Sequence, residues 1–303
     1  MTPPTTHSDY RYGLLYALGC YLIWGLFPLY WHPINTAGIG ADQILAQRIS
    51  WSAAFAVIVL LLTRKTALLW RVLHQPRVLA VFAASALAIS LNWLVYLWAI
   101  TNSHILDASL GYFMSPLMNV LFGYVFFKER LNRAQLAAIV LAVVGILWLA
   151  VPAGHIPWVS LLLAGSFGVY GLLRKLVPLD ALAGMTLETL LMLPFALGYL
   201  WYADMRGVLV FGSLPPLPLA VLIGSGAATV IPLLCFAAAA KRISMSDLGM
   251  IQYVSPTMQF VLGLVLFNEA FNAQKLMGYA WVWLAVVVYV WGVLRIKNRQ
   301  QAV

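Results

Sequence analysis

Two charged residues stand where charge is costly. Arg48 and Glu188 each lie about six residues inside a long apolar run. In a hydrocarbon setting such a side chain marks a substrate contact, a proton relay or a buried partner. Arg48 could attract an anionic or carbonyl group. Glu188 could hold an amine or carry a proton. Snorkelling to the interface is the rival reading for Arg48, and a structural hydrogen bond or a protonated carboxyl is the rival for Glu188. Two further polar sets recur at helical spacing. Tyr112, Ser115, Pro116 and Asn119 fall at i, i+3, i+4 and i+7, and Gln252, Ser255, Pro256 and Gln259 repeat the pattern. Such positions share one face of a helix. Each proline lacks an N–H, so Pro116 frees the carbonyl of Tyr112 and Pro256 that of Gln252. These two broken polar faces are candidate walls of a substrate cavity. The alternative is that their Ser, Asn and Gln side chains bond neighbouring helices together. Asn92, Trp93 and Tyr96, with Trp24 and Tyr30, could add an aromatic wall.

Catalytic chemistry has no comparable set. There is no HExxH, no GxSxG and no aspartate pair suited to sharing a proton. The five histidines (His7, His32, His74, His104 and His155) fall at run ends or in loops without metal-ligand clustering, so no metal is expected. A nucleotide-binding loop is also missing from the sequence, and no cofactor is expected. Cys20 and Cys235 both fall inside apolar runs and read as small core residues.

The elements that must hold these residues follow from composition. Of 303 residues, 63% are hydrophobic and 9% charged. An ordinary soluble domain has about 25% charged residues, so a soluble enzyme and a disordered chain are both excluded. The net charge of +9 is not gathered on a face long enough to follow a phosphate backbone, so nucleic acid is not an expected partner. A spanning helix needs about 20 mostly apolar residues. Ten such runs are present, at about 13–31, 42–62, 78–101, 106–127, 134–151, 158–176, 182–202, 219–240, 248–267 and 275–294. The fold expected is an all-α membrane protein with ten transmembrane helices. A tight hairpin is needed at Thr101 to His104. With the N-terminus inside, 15 of the 18 basic residues fall in cytoplasmic segments, and only Arg206 and Lys275 fall outside. That bias places both termini in the cytoplasm. Arg174 and Lys175 then mark the cytoplasmic end of the sixth span. Gly165, Gly168 and Gly171 allow close helix approach in that span.

The ten runs are two copies of five. FMSPLMNVLFGYVFFKERLN begins at Phe113 and YVSPTMQFVLGLVLFNEAFN at Tyr253, a shift of 140. Ser115-Pro116 meets Ser255-Pro256, Gly123 meets Gly263, Glu129 meets Glu269 and Asp107 meets Asp247. Five is odd, so the second copy enters the bilayer from the other side, as an inverted repeat. The loops agree: KERLNR is basic, and its copy NEAFNA has lost every cation but keeps the glutamate. The halves are 13–151 and 152–294, between a tail of residues 1–12 and a basic tail of residues 295–303. Asp107 and Asp247 head helices, where capping and the helix dipole account for a carboxylate. Glu129 and Glu269 read the same way for the helices that follow them. The 140 shift also maps Arg48 onto Glu188. Each is roughly 9 Å from its own membrane edge, so about 12 Å of depth separates them, which suits opposite ends of one cavity.

Two five-helix halves that each end in an S-P…G…E pattern resemble the drug/metabolite transporter superfamily and its EamA-type repeat. YLIWGLFPLYW (21–31), RISWS (48–52), LNWLVYLWAI (91–100), the stretch from Ala108 to Arg133 and YGLLRK (170–175) are similar to the RarD branch of bacterial permeases. The resemblance covers nearly the whole chain. It implies a multi-pass carrier of the bacterial inner membrane, and it carries a loose family association with chloramphenicol sensitivity. The function expected is secondary transport, by alternating access, of a small amphipathic organic metabolite or drug, with export the direction the resemblance suggests. Glu188 is the candidate for proton coupling. The partners are a small-molecule substrate and the lipid bilayer. A membrane receptor or assembly factor that moves nothing is the alternative, and an integral membrane enzyme a more remote one.

Overall fold

The computed structural model describes residues 7–35, 39–101, 105–151, 158–177, 179–265 and 273–301. Helices dominate the described residues, and none of them forms a strand. The first span is α1 (His7–Gly25) followed by α2 (Phe27–Asn35), with a bend at Leu26. Pro28 explains the bend, because it cannot donate to the carbonyl of Trp24. Next come α3 (Ala41–Leu62), a short α4 (Thr66–Leu73), α5 (Pro76–Thr101), α6 (Ile105–Phe127) and α7 (Arg133–Ala150). The second half holds α8 (Trp158–Leu176), α9 (Ala181–Met205), α10 (Pro216–Ala240), α11 (Met245–Gln252), α12 (Val254–Val265) and α13 (Ala273–Gln301).

Among the described residues, nine stretches are long and apolar enough to cross a membrane, counting the bent α1–α2 as one. The pair α11–α12 supplies the tenth candidate in two pieces. Within the ninth expected run, 248–267, residues 248–265 are described and belong to these two helices and the break between them. Its first helix begins at Met245, and the axis breaks at Tyr253, three residues before Pro256. Pro116, by contrast, lies inside a continuous α6. The short α4 was not anticipated, since its eight residues are too few to register as a span. The hairpin at 102–104 lies outside the described residues.

Capping sets several boundaries. Asn132 and Gln135 form a reciprocal capping box at the start of α7, and Asp180 accepts from the N–H groups of Leu182 and Ala183 at the start of α9. Large apolar side chains such as Leu62, Phe195, Trp201 and Val265 face outward. That is ruinous in water and normal against lipid.

Packing follows a regular scheme. α3 lies on α9, α7 on α13, and α6 on α11. Several of the remaining contacts pair off: α5 on α8 with α10 on α1, α6 on α8 with α12 on α1, and α10 on α3 with α5 on α9. The main core gathers Cys20, Tyr21, Tyr170, Phe236 and Leu248. α7 and α13 share a second core around Ala138, Ala142, Val282 and Ala285. The glycine series in α8 is used unevenly. A Cβ on Gly168 would stand 2.8 Å from the Phe122 ring, whereas one on Gly165 would meet nothing within 4 Å.

Candidate functional site

α3 carries Arg48 to a cluster of aromatic rings. Its guanidinium carbon lies 4.4 Å from the ring centre of Trp93, 5.8 Å from that of Trp31 and 6.0 Å from that of Phe27. These distances are within the range of cation–π attraction. Nε donates to Thr229 Oγ1 on α10 at 2.7 Å. Tyr30, Tyr96 and Tyr112 are its further electrostatic neighbours. Among the carboxylates whose side chains are described, a set that does not include Asp107, none lies within ion-pairing distance of Arg48. Tyr96 and Tyr112 meet edge to face with centres 5.7 Å apart. Tyr30 donates to the carbonyl of Val221 at 2.6 Å. Asn92, which precedes Trp93, donates to Leu163 O at 2.9 Å and to Ser166 Oγ at 3.1 Å, and so ties α5 to α8.

Glu188 is fully buried on α9. Its Oε1 accepts from Ser85 Oγ at 2.5 Å and lies 3.5 Å from Arg174 Nη1. Its Oε2, the Nε of Arg174 and the hydroxyl of Tyr170 are buried with no hydrogen-bond partner among the described residues. Arg174 Nη2 donates to Ala181 O at 3.0 Å, and the Phe82 ring centre lies 5.5 Å from its guanidinium. Arg174 does stand in the last turn of α8, as expected of a span end, but its side chain is buried. Arg174 points inward, because a carboxylate buried on the facing helix holds it there. Ser85, Arg174 and Tyr170 were missed by sequence reasoning. The available signal was that Tyr170 and Arg174 stand one turn apart in α8, on the face that also carries Phe167.

The two polar faces meet each other at one seam. Asn119 Nδ2 donates to Gln252 Oε1 at 2.9 Å, and Tyr253 donates its hydroxyl to Phe113 O at 3.3 Å. Phe113 and Tyr253 are equivalent positions under the 140 shift. Gly249 allows this approach, since a Cβ there would stand 2.5 Å from the carbonyl oxygen of Pro116. Ser115 turns back to Gly111 O at 2.9 Å within its own helix. Ser255 donates to Tyr21 O at 2.6 Å and Gln259 to Trp24 O at 3.2 Å. Gln259 thus takes the carbonyl that Pro28 leaves free. Trp24 packs on Phe167 and Phe236, with centres 5.6 and 6.1 Å away.

Glu129 has a different role from the one expected. Asn132, not Glu129, caps α7. The Glu129 carboxylate folds back over Gly123, where a Cβ would stand 2.5 Å from Oε2. It accepts from the N–H of Met245 at 2.8 Å, the N–H of Ser246 at 3.1 Å and the Ser246 hydroxyl at 2.7 Å. A carboxylate on the first N–H groups of a helix satisfies orphan donors and complements the helix dipole. Lys175 lies 4.0 Å from Glu129 and donates to Ile243 O at 2.6 Å. Asp247 is not the cap of α11 either, since Ser244 caps it. Asp247 sits in the first turn and accepts from Tyr10 and Tyr289, each at 3.2 Å. Asp107 lies in α6, and Glu269 lies outside the described residues. At the same end of the bundle Lys65 pairs with Asp180 at 2.8 Å. Burial alone would raise the Asp180 carboxyl, but the Lys65 bond and charge, with two backbone N–H groups, hold it below the usual carboxylate range. Burial, with the nearby Arg174 cation, pushes Lys241 down to about 8.

The EamA-like transporter family matches residues 11–151. The chain is 39% identical to protein RarD of Streptomyces exfoliatus, covering 97% of this chain and 93% of that one. It is 38% identical to protein RarD of Escherichia coli, covering 95% and 97%. It is 41% identical to an uncharacterized transporter of Pseudomonas aeruginosa, covering 96% and 97%. A crystal structure 19% identical in sequence superposes with a TM-score of 0.69, covering 94% of this chain and 98% of the other, which is a likeness of fold. The all-helical bundle, its apolar exterior and these near full-length similarities agree: the chain belongs to the EamA family of transporters and is a RarD-like, multi-pass membrane member of it.

Proposed function

We propose that this protein is a secondary carrier that moves a small amphipathic organic molecule across the bacterial inner membrane by alternating access. The halves 13–151 and 152–294 act as inverted repeats, with both termini in the cytoplasm. The observation that carries this reading is the matched packing of the two halves around the Phe113–Tyr253 contact. Helices paired in this way can exchange partners by rocking, so that a central site opens to each side in turn.

Arg48, Asn92, Trp93, Tyr112, Ser115, Asn119, Gln252, Ser255 and Gln259 are the proposed substrate-facing set. Pro116 and Pro256 loosen the two helices that carry most of them. In the geometry described, Asn119 Nδ2 is spent on Gln252 Oε1, while Asn119 Oδ1 is buried with no partner among the described residues. Substrate would therefore reach them by parting the seam between α6 and α11. Glu188 is the proposed proton carrier. Its Oε1 is held by Ser85 and Arg174 while Oε2 has no partner, so a proton on Oε2 would weaken the Arg174 pair without breaking the Ser85 bond.

Saturable uptake with counterflow in proteoliposomes tests transport. A ligand that binds without any flux would retire the carrier reading in favour of a receptor. Glu188→Gln should insert normally but lose the pH dependence of flux. Unchanged pH dependence in that variant would end the proton assignment. Cysteine labelling of the two termini from opposite faces of the membrane tests the orientation, and labelling from different faces would overturn the inverted repeat.

A further inference from the structure

The geometry points to Arg48 as the recognition group for a carboxylate, so that the cargo is a small organic anion carrying an aromatic ring. This rests on the carrier reading and narrows it to a substrate class. Arg48 and Arg174 both lie within spans, and their surroundings differ. Arg174 has Glu188. Arg48 meets ring faces, the Thr229 hydroxyl and the nearby tyrosines Tyr30, Tyr96 and Tyr112, and no carboxylate among the side chains described, a set that does not include Asp107. Ring faces hold a guanidinium in place without neutralising it, since they offer a quadrupole and no net charge. A structural arginine at this depth would be expected to carry its own counter-ion. Arg48 stands seven residues beyond Ala41, about 10 Å along the helix, and its one protein hydrogen bond among the described residues uses Nε. That bond fixes the plane of the guanidinium. The two terminal nitrogens remain as the paired donors that match a carboxylate. Trp93, on which the guanidinium stacks, holds that plane from one side. The edge-to-face pair Tyr96 and Tyr112 offers ring surface nearby for an aromatic body. A cationic amine would be repelled at this position, and a neutral amide would lose the charge-assisted part of the bond.

The test uses the full chain with three matched probes: 3-phenylpropionate, 3-phenylpropionamide and 3-phenylpropylamine. Thermal unfolding of the detergent-solubilised protein reads binding, and proteoliposome uptake reads transport. The expected result is stabilisation by about 2 °C or more with the carboxylate, with the amide weaker and the amine inert. Saturable uptake should follow the same order. Arg48→Gln should cut carboxylate stabilisation and uptake about tenfold or more. Arg48→Lys, which keeps the charge but not the paired donors, should recover only part. Thr229→Val, which frees the guanidinium plane, should weaken carboxylate binding without changing the melting point of the free protein by more than a few degrees. Carboxylate stabilisation lost in Arg48→Gln, but without flux for any probe, would support the anion site and remove the carrier reading. Saturable amide or amine flux with no response to the carboxylate, or equal carboxylate response in wild type and Arg48→Gln, would overturn the anion site and leave the carrier standing. Absence of both flux and carboxylate stabilisation overturns the inference, as does Arg48-dependent stabilisation by phosphatidylglycerol alone, which would make the arginine a lipid anchor.

Discussion

Arg174 Nη1 stands 3.5 Å from Glu188 Oε1, and both side chains are withdrawn from the surface of the bundle. Each is the reason the other is tolerated. An ion removed from water loses hydration that only a close counter-charge and hydrogen bonds offset. The carboxylate has Ser85 as a second partner, and the guanidinium has the carbonyl of Ala181.

Removing one member of this pair should therefore harm the fold more than removing both. Glu188→Leu is expected to destabilise by about 3–5 kcal/mol, the range for a buried pair broken on one side. Adding Arg174→Met should recover most of that loss. Denaturant unfolding of the two single variants and the double variant measures the coupling. Additive losses would mean that the two residues do not sense each other.

The Glu129 carboxylate joins the end of α6 to the start of α11 across the two halves of the chain. Glu129→Ala should lower stability by about 1–2 kcal/mol, as expected for losing a helix cap. Asn132→Ala should cost a similar amount through α7 instead. Hydrogen exchange separates the two: the first variant should speed exchange at Met245 and Ser246, the second at Gln135. Unaltered protection at Met245 in Glu129→Ala would contradict this role of the Glu129 carboxylate.

Gly249 is a test of how closely α6 and α11 must meet. An added methyl would lie 2.5 Å from the backbone oxygen of Pro116, and a backbone atom cannot rotate out of the way. Gly249→Ala should push the helices apart and break the Asn119–Gln252 bond, with a loss of about 1–3 kcal/mol, as for an overpacked core. Ala at Gly165, which meets nothing within 4 Å, should have almost no effect. Thermal melting of the two variants compares them directly.

Lys241 gives the protein a pH response on the alkaline side. Its folded value is pushed down to about 8 from an ordinary 10.5, first by burial and then by the Arg174 cation. Between those two values the unfolded chain binds more protons than the folded one, so stability should rise as pH goes from about 8 to about 10.5. Below that window Lys241 is charged in both states and the full penalty is present. Lys241→Met should flatten this part of the melting-point profile while raising its value at pH 7. An unchanged slope would show that the ammonium finds better solvation than its surroundings suggest.

Much of the architecture was legible in the chain. Span number follows from how many apolar residues cross hydrocarbon, and that is a property of consecutive residues. The shared pattern of glycine and glutamate is legible too, and the structure supplies its reason in the first half: Gly123 leaves the space into which the Glu129 carboxylate turns. Asn119, Gln252, Ser255 and Gln259 were recognisable as polar faces from their spacing. What they bond could not be read in the same way. Gln259 meets a carbonyl of α1 and Asn119 meets Gln252 because of how the helices are rotated and set in depth against one another. Periodicity fixes the angle of a side chain around its own axis and carries nothing about the axis beside it. Arg174 shows the difference most clearly. Along the chain it is one of two adjacent cations at a helix end, and only the packing of α8 and α9 turns it inward to Glu188.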